Sequence, residues 1–309
     1  MKSQLFVSKI FPILALLAAA LAYYLPEIFL PLADKIVYLL GAIMFFMGTT
    51  LSAADFIQAL KKPKAIFLGL ALQFTLMPAI ALGVSKILNL PQDYLVGMVL
   101  VGAVAGGTAS NVMAYLARGN LALSVTMTCC STIAGIFLTP LITYALIGAK
   151  VQVPVMGMFK DILCMIALPI ALGVLANFAL PSKKIFLQKL APFASTVGII
   201  LVIASITALN AKAINSKMFL VLAAVIMHNG LGLFSAYTLC KLIKLDTKTA
   251  VTIAIEVGMQ NSGLAAVLAK NFFSAASAMP AVIFSVWHNI SGALFAAYCR
   301  RFIVKNLEK

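Results

Sequence analysis

A short polar run interrupts a long apolar stretch in the carboxyl-terminal part of the chain. The segment TIAIEVGMQNSGLAAVL carries a carboxylate, two amides and a hydroxyl between Glu256 and Ser262. Gln260 follows Glu256 by four residues, so that both side chains fall on one face of a helix. Gly258 and Gly263 weaken that helix, and an unwound segment frees backbone carbonyls. Carboxylate, amide and carbonyl oxygens favour a hard monovalent cation such as sodium, whereas a transition metal prefers His or Cys ligands.

The composition around this run is that of a helical membrane protein. Of the 309 residues, 63% are hydrophobic and 10% are charged, which is too little charge for the polar shell of a soluble domain. Several apolar stretches reach the roughly 20 residues that cross a bilayer as a helix. We therefore predict an all-α polytopic membrane protein with ten transmembrane helices. The predicted spans are 10–28, 35–53, 65–86, 94–117, 120–147, 161–181, 191–210, 218–241, 248–270 and 279–299.

The net charge of +15 predicts how the chain is oriented. With ten spans, sixteen of the 23 Lys and Arg residues fall on the side of the two termini and seven on the other side. Because cytoplasmic loops carry the excess of Lys and Arg, both termini are predicted to be cytoplasmic. The positive charge therefore indicates topology, and nucleic acid is not expected as a partner.

Glu256 is the only one of the eight acidic residues that falls inside a predicted span. The others fall in loops or at span ends: Glu27, Asp34, Asp55, Asp93, Asp161, Asp246 and Glu308. An ionisable side chain within a span costs about 2.5–3.5 kcal/mol on insertion scales, so it usually faces an interior cavity and has a partner. No Lys or Arg falls in the central part of a span. The partner of Glu256 is then either a proton or a bound cation.

The fourth span contains a matching interruption in the segment AGGTASNVM. Gly106 and Gly107 break the helix, and Thr108, Ser110 and Asn111 place hydroxyls and an amide at the break. The segment SVTMTCCST, directly downstream, lines the next span with small polar groups. Close helix packing would account for any one of these residues, but two paired interruptions favour a binding site.

Three other polar features lie deep in predicted spans. Gln73 is a lone amide in the third span, and each of the two histidines is followed by Asn, as His228-Asn229 and His288-Asn289. As isolated pairs, these indicate structural hydrogen bonding more than catalysis. No nucleophile–base arrangement, phosphate-cradling loop or metalloprotease motif is present in the sequence, so we predict that the chain is not an enzyme and has no cofactor.

An odd number of spans in each half makes the second half run through the membrane in the opposite sense to the first. Residues 1–150 and 151–309 are therefore predicted to form two inverted five-helix repeats. A shift of 152 residues places Gly106 over Gly258 and Ser110 over Ser262, which aligns the two interrupted spans.

The sequence resembles the bile acid:sodium symporters in their bacterial ten-helix form, over nearly the whole chain. The resemblance is carried by three segments in the order and spacing of that family: GGTASNVMAYLARGNLALSVT, IEVGMQNSGLA and FSVWHNISG. It implies a core domain from helices 3–5 and 8–10, a panel domain from helices 1–2 and 6–7, and broken helices 4 and 9 that cross at the centre of the core.

The resemblance also implies three sets of binding residues. The first sodium site would use Ser110, Asn111, Thr128 and Glu256, with Cys129 replacing a hydroxyl that the family often has, which makes that contact doubtful because a thiol is a poor sodium ligand. The second sodium site would use Gln73, Glu256 and Gln260 with backbone carbonyls near Val257 and Met259. The substrate candidates are Thr108, Asn261, His288 and Asn289.

The expected function is sodium-coupled import of an organic anion, either bile-acid-like or a small carboxylate such as pantoate, by alternating access with two sodium sites. The expected partners are this anion, sodium ions and the lipid bilayer of a bacterial inner membrane, with no obligate protein partner. The alternatives are a proton-coupled transporter in which Glu256 carries the proton, and a channel or receptor that does not transport its ligand.

Overall fold

The computed structural model describes residues 2–50, 63–213 and 217–304, and all regular elements in these ranges are helical. We label twelve helices: α1 (Lys2–Tyr24), α2 (Pro26–Thr50), α3 (Pro63–Ile87), α4 (Gln92–Ala103), α5 (Ala109–Leu116), α6 (Leu121–Ile147), α7 (Val155–Ala179), α8 (Lys184–Leu209), α9 (Lys217–Leu242), α10 (Thr247–Gly258), α11 (Ser262–Phe272) and α12 (Ala275–Tyr298).

Seven helices of the described residues are long and apolar enough to cross a membrane: α2, α3, α6, α7, α8, α9 and α12. The all-helical membrane architecture predicted from composition is confirmed. Within the described residues, every predicted span overlaps with one long helix or with a pair of short helices. The number of crossings and the inverted repeat remain predictions.

One predicted boundary near the amino terminus is wrong. The first span was predicted to continue to residue 28, but α1 ends at Tyr24 because Pro26 begins the next helix. Leu25 between them has φ −128° and ψ 61°, outside the helical region, as expected for a residue that precedes proline. The predicted start of the second span at residue 35 agrees with the α-helix Ile36–Thr50, which is preceded by the short helix Pro26–Phe29 and the 3-10 segment Leu30–Lys35. The predicted end of the second span at residue 53 lies outside the described residues, as do Asp55 and Glu308.

Both predicted interruptions are present. The fourth predicted span divides into α4 and α5 with residues 104–108 between them, and the ninth divides into α10 and α11 with residues 259–261 between them. We call these the first break and the second break. Backbone groups that leave a helix within a membrane need other partners, and the two breaks supply them to each other. Gly107 N–H donates to the Met259 carbonyl (2.7 Å), and Asn261 N–H donates to the Ala105 carbonyl (2.9 Å).

The absence of a side chain at Gly107 permits this pairing. A Cβ atom at Gly107 would lie 2.5 Å from the carbonyl oxygen of Gln260, closer than non-bonded atoms approach. Gly106 and Gln260 form an antiparallel β-bridge at the same place. The two breaks are therefore in direct backbone contact at the centre of the protein.

The helices pack most extensively within two groups. One group consists of α1, α2, α7 and α8; the other consists of α3–α6 and α9–α12 and contains both breaks. Contacts between the groups include α1 and α8 against α12, and α6 against α7. A cavity lies between the groups, and its lining comes from both.

Candidate functional site

The carboxylate of Glu256 is buried at the end of α10, with 2% of its surface exposed. Three hydroxyls donate hydrogen bonds to it. Ser110 Oγ lies 2.6 Å from Oε1, Thr128 Oγ1 lies 2.8 Å from Oε2, and Ser124 Oγ also donates to Oε1. These partners come from α5 and α6, so that the single acid joins three helices. All three are neutral, so they solvate the negative charge without neutralising it.

The way in which α6 and α10 lie side by side places the hydroxyls of Ser124 and Thr128 against the carboxylate of Glu256. Asn120 caps the start of α6, and its backbone N–H donates to Thr252 Oγ1 (2.8 Å). Ser124 follows Asn120 by four residues and Glu256 follows Thr252 by four residues, so that each pair repeats on one helix face. The contact at the helix start thus places Ser124, and one turn later Thr128, against the carboxylate.

The residues predicted for the first sodium site lie together. Ser110 and Thr128 contact Glu256 directly, and Asn111 Oδ1 lies 2.9 Å from Ser124 Oγ. The prediction omitted Ser124 as an individual ligand, although it lay within a polar segment that was singled out. Its spacing of four residues from Thr128 was the signal that could have identified it. Cys129 is buried and lies in the lining of the large cavity.

The side chains of Gln73 and Gln260 contact each other. Gln73 lies in a π-helical segment of α3, Leu72–Leu76, a local bulge of a kind that is common at functional sites. Its Nε2 donates to Gln260 Oε1 (2.5 Å) and to the Val104 carbonyl (2.8 Å), and Gln260 Nε2 donates to the Val257 carbonyl (2.6 Å). The side chains predicted for the second sodium site therefore adjoin.

A small cavity of about 10 Å³ lies beside Glu256 and Gln73, with the apolar side chains of Leu70 and Met127 in its wall. Its lining includes Gln73, Gly106, Ser131 and Glu256, and this space is about that of one water-sized species. The carbonyls of Val257 and Met259 each accept one hydrogen bond, from Gln260 Nε2 and from Gly107 N–H. A carbonyl oxygen has two lone pairs, so both retain capacity for a further ligand.

A much larger cavity of about 330 Å³ extends from the two breaks between the helix groups. All four predicted substrate residues, Thr108, Asn261, His288 and Asn289, line its polar wall. The opposite wall is apolar and comes from α2 and α8, with the residues Leu40, Ile43, Met44, Met47, Ala191, Pro192 and Ile199 among those that line it. The cavity reaches Thr50, Tyr115 and Leu121, close to the α5–α6 connection.

Backbone donors converge on the polar wall. Helices α5 and α11 both begin at the breaks, and the first N–H groups of a helix have no acceptor within it. Those of Thr108, Ala109 and Gly263 have no acceptor among the described residues, and all three residues line the cavity. Asn261 uses its Oδ1 atom to cap α11 by accepting from Leu264 N–H (3.1 Å), which leaves its amide nitrogen as a donor. Two positive helix ends therefore meet the cavity.

Among the described residues, no group of three His, Cys, Asp or Glu side chains could hold a metal ion. The oxygens around Glu256 are instead hydroxyls, amides and carbonyls. Such a set suits a hard monovalent cation, since nitrogen and sulfur ligands are missing from it.

Broken helices, a buried carboxylate among oxygen atoms and a central cavity are features that secondary transporters built within the membrane share. Comparison with known proteins identifies the family. Residues 37–217 match the "Sodium Bile acid symporter family". The chain therefore belongs to the sodium bile acid symporter family, a family of sodium-coupled transporters and not of enzymes.

Relatives from bacteria and plants support this assignment. The chain is 39% identical over 302 residues to the "Uncharacterized sodium-dependent transporter YocS" of Bacillus subtilis, covering 97% of this chain and 94% of that protein. It is 40% identical over 294 residues to the "Probable sodium/metabolite cotransporter BASS1, chloroplastic" of Oryza sativa, covering 94% of this chain and 72% of that protein. These matches and the apolar helices support a bacterial multi-pass membrane protein.

Proposed function

We propose that the chain is a sodium-coupled symporter that imports a small organic anion by alternating access. The observation that carries the proposal is the buried carboxylate of Glu256, which accepts hydrogen bonds from three hydroxyls next to residues that line the large cavity. One sodium ion would bind with Ser110, Asn111, Thr128 and Glu256. A second would bind with Gln73, Glu256, Gln260 and the carbonyls of Val257 and Met259.

The proposed substrate site is the polar wall of the large cavity. Two sodium ions that share one glutamate leave a local charge of about +1, and the starts of α5 and α11 add positive dipole ends. An organic anion would place its carboxylate or sulfonate at the N–H groups of Thr108, Ala109 and Gly263, with Asn261, His288 and Asn289 beside it. Its apolar part would face α2 and α8. The plant relatives are named for sodium and metabolite cotransport, which favours a small metabolite.

Coupling would follow from the two breaks. Sodium ions on Glu256 and Gln260 would hold the second break in its present shape, and the backbone pairing would transmit that shape to Thr108 in the first break. Sodium would then raise the affinity for the anion, and by linkage the anion would raise the affinity for sodium by the same factor.

The proposed transport cycle uses the two helix groups. Residues 1–150 and 151–309 would form inverted five-helix repeats, with α1, α2, α7 and α8 as the panel domain and the other helices as the core domain. Rocking of one domain against the other would expose the cavity to each side in turn. With both termini cytoplasmic, the end of the cavity near the α5–α6 connection would face the cytoplasm.

The test is uptake of labelled organic anions into proteoliposomes under an inward sodium gradient. We expect uptake by the wild type with sodium and not with potassium, and a loss of about 100-fold or more in Glu256→Gln, since that amide keeps the shape and removes the only buried charge of the site. Asp161→Asn, at the edge of the membrane, serves as the control. Undiminished sodium-dependent uptake by Glu256→Gln would contradict the proposal.

A second candidate is proton coupling, which is favoured by one observation: every described hydrogen-bond partner of Glu256 is a neutral hydroxyl. Uptake driven by a pH gradient in sodium-free buffer would support it, and the oxygen ligands around the small cavity argue against it. Counterflow of labelled substrate distinguishes a transporter, coupled to sodium or to protons, from the other two classes. A receptor gives no counterflow, and a channel does not require alternating access.

A further inference from the structure

Helix α9 places two adjacent polar residues in a fully buried position outside the proposed binding sites. His228 and Asn229 have no exposed surface. His228 Nε2 lies 3.0 Å from the carbonyl oxygen of Met77, and Asn229 Nδ2 donates to the carbonyl of Gly258 at 2.8 Å. Because a carbonyl only accepts, the Nε2 atom of His228 carries a proton and donates it to Met77.

The two carbonyls belong to the two elements that flank the small cavity. Met77 directly follows the π-helical segment Leu72–Leu76, which carries Gln73. Gly258 is the last residue of α10 and follows Glu256 by two residues. At the end of a helix a carbonyl has no partner within it, so Asn229 supplies the one that Gly258 lacks. One dipeptide thus contacts the backbone on both sides of the proposed second sodium site.

Helix α9 also packs closely against Met77 and Gly258. One turn after His228, Gly232 lies so near its neighbours that a Cβ atom there would be 2.5 Å from the sulfur of Met77 and 3.7 Å from Cα of Gly258. A shift of α9 would therefore move against both elements together. Helix α9 thus contacts both the element that carries Gln73 and the element that carries Glu256.

We infer that His228 and Asn229 are positioning residues for the proposed second sodium site, and that they set the affinity for sodium without contacting the ion. This inference rests on the proposed function. Removal of either hydrogen bond would let the π-helical segment or the end of α10 relax, and the oxygens of Gln73, Glu256 and Gln260 would lose their shared geometry. Partners of this kind typically change metal affinity by roughly 10- to 100-fold.

The test measures the uptake of the labelled organic anion into proteoliposomes as a function of sodium concentration. His228→Phe and Asn229→Leu keep the shape and remove the donor, and we expect the sodium concentration for half-maximal uptake to rise by about tenfold or more, with the maximal rate at saturating sodium largely retained. His228→Gln restores a donor nitrogen in a similar position, and we expect it to return the half-maximal concentration towards that of the wild type.

Asn177→Leu is the matched control. Asn177 Nδ2 donates to the carbonyl of Thr49 at 2.8 Å, so it too is a buried amide that joins two helices, but those helices are α7 and α2. We expect this variant to lose stability at most, with an unchanged sodium dependence. An unchanged half-maximal sodium concentration in both His228→Phe and Asn229→Leu would overturn the inference.

Two further measurements distinguish failure of the positioning role from misfolding of the variants and from failure of the proposed function. If the Leu and Phe variants fail to fold, Asn229→Ser, whose hydroxyl is too short to reach Gly258, is expected to show the same shift, and a wild-type sodium dependence there would refute the inference. If wild-type uptake does not depend on sodium at all, the proposed function itself fails. Sodium-dependent wild-type uptake with an unaltered sodium dependence in the α9 variants rejects only the positioning role.

Discussion

The two breaks have the same backbone role and opposite side-chain chemistry. Each ends one short helix and begins another, and each donates one backbone hydrogen bond to the other, at 2.7 and 2.9 Å. The first break is small and neutral, with Gly106, Gly107 and Thr108. The second follows Glu256 and includes Gln260 and Asn261. The negative charge therefore lies next to the second break. The first break has small residues, which let the two backbones approach each other closely, and it has N–H and O–H donors.

This difference indicates that the two breaks have separate roles, with the charge beside the second break and the small residues in the first. A carboxylate on both breaks would place two like charges together in a medium of low dielectric constant, which is unfavourable. With one carboxylate, two cations leave a net positive charge that an anion can neutralise. The glycines of the first break then let the polar backbone of the second approach closely enough for the two to act as a unit.

Among variants that keep Glu256, the largest effect is expected from filling the contact between the breaks. In Gly107→Ala the new Cβ would lie 2.5 Å from the Gln260 carbonyl oxygen, so one of the two backbones must move. Overpacking of this kind costs about 1–3 kcal/mol, and we expect sodium-driven uptake to fall by about tenfold or more. Gly83→Ala is the control, since nothing lies within 4 Å of its new Cβ; equal activity in the two variants would show that the pairing is dispensable.

A smaller effect is expected at Ser124, the hydroxyl that bridges Glu256 and Asn111. A hydrogen bond to a charged group contributes about 1.5–3 kcal/mol. Ser124→Ala should therefore raise the sodium concentration for half-maximal uptake by about tenfold. Thr143→Val, which removes a buried hydroxyl bonded within the same helix, should leave it unaltered. Identical sodium dependence in Ser124→Ala and the wild type would remove Ser124 from the site.

The smallest effect is expected at Cys129, where a thiol stands in the lining of the large cavity next to Thr128. Cys129→Ser supplies an oxygen that a sodium ion can use. One additional polar contact is worth about 0.5–1.5 kcal/mol, so the half-maximal sodium concentration should fall by a few-fold. A rise in that concentration would indicate that the sulfur itself contributes to the site.

Much of this architecture could be predicted from the sequence because apolar length and broken periodicity are local properties. The apolar helices, both breaks and the one buried acid of the described residues follow from residues that are near each other in the chain. The boundary at Tyr24 was missed because apolar residues continue across it, although Pro26 restarts the helix.

The arrangement of partners could not be predicted in the same way. Ser124 contacts Glu256 because Asn120 and Thr252 fix how α6 and α10 lie against each other. The sequence of one helix does not determine how that helix aligns with another. The orientation of Gln73 depends on a π-helical segment, and the role of His228 and Asn229 depends on carbonyls of two other helices. Each of these contacts joins residues that are far apart in the sequence.

The most direct test of the central claim is sodium binding to the purified protein without substrate. A ligand that binds only the folded state raises its apparent melting temperature. We predict that sodium, and not potassium at equal ionic strength, raises the melting temperature of the wild type, and that Glu256→Gln abolishes this increase. An equal sodium-dependent increase in Glu256→Gln would contradict the claim that this carboxylate holds the coupling ions.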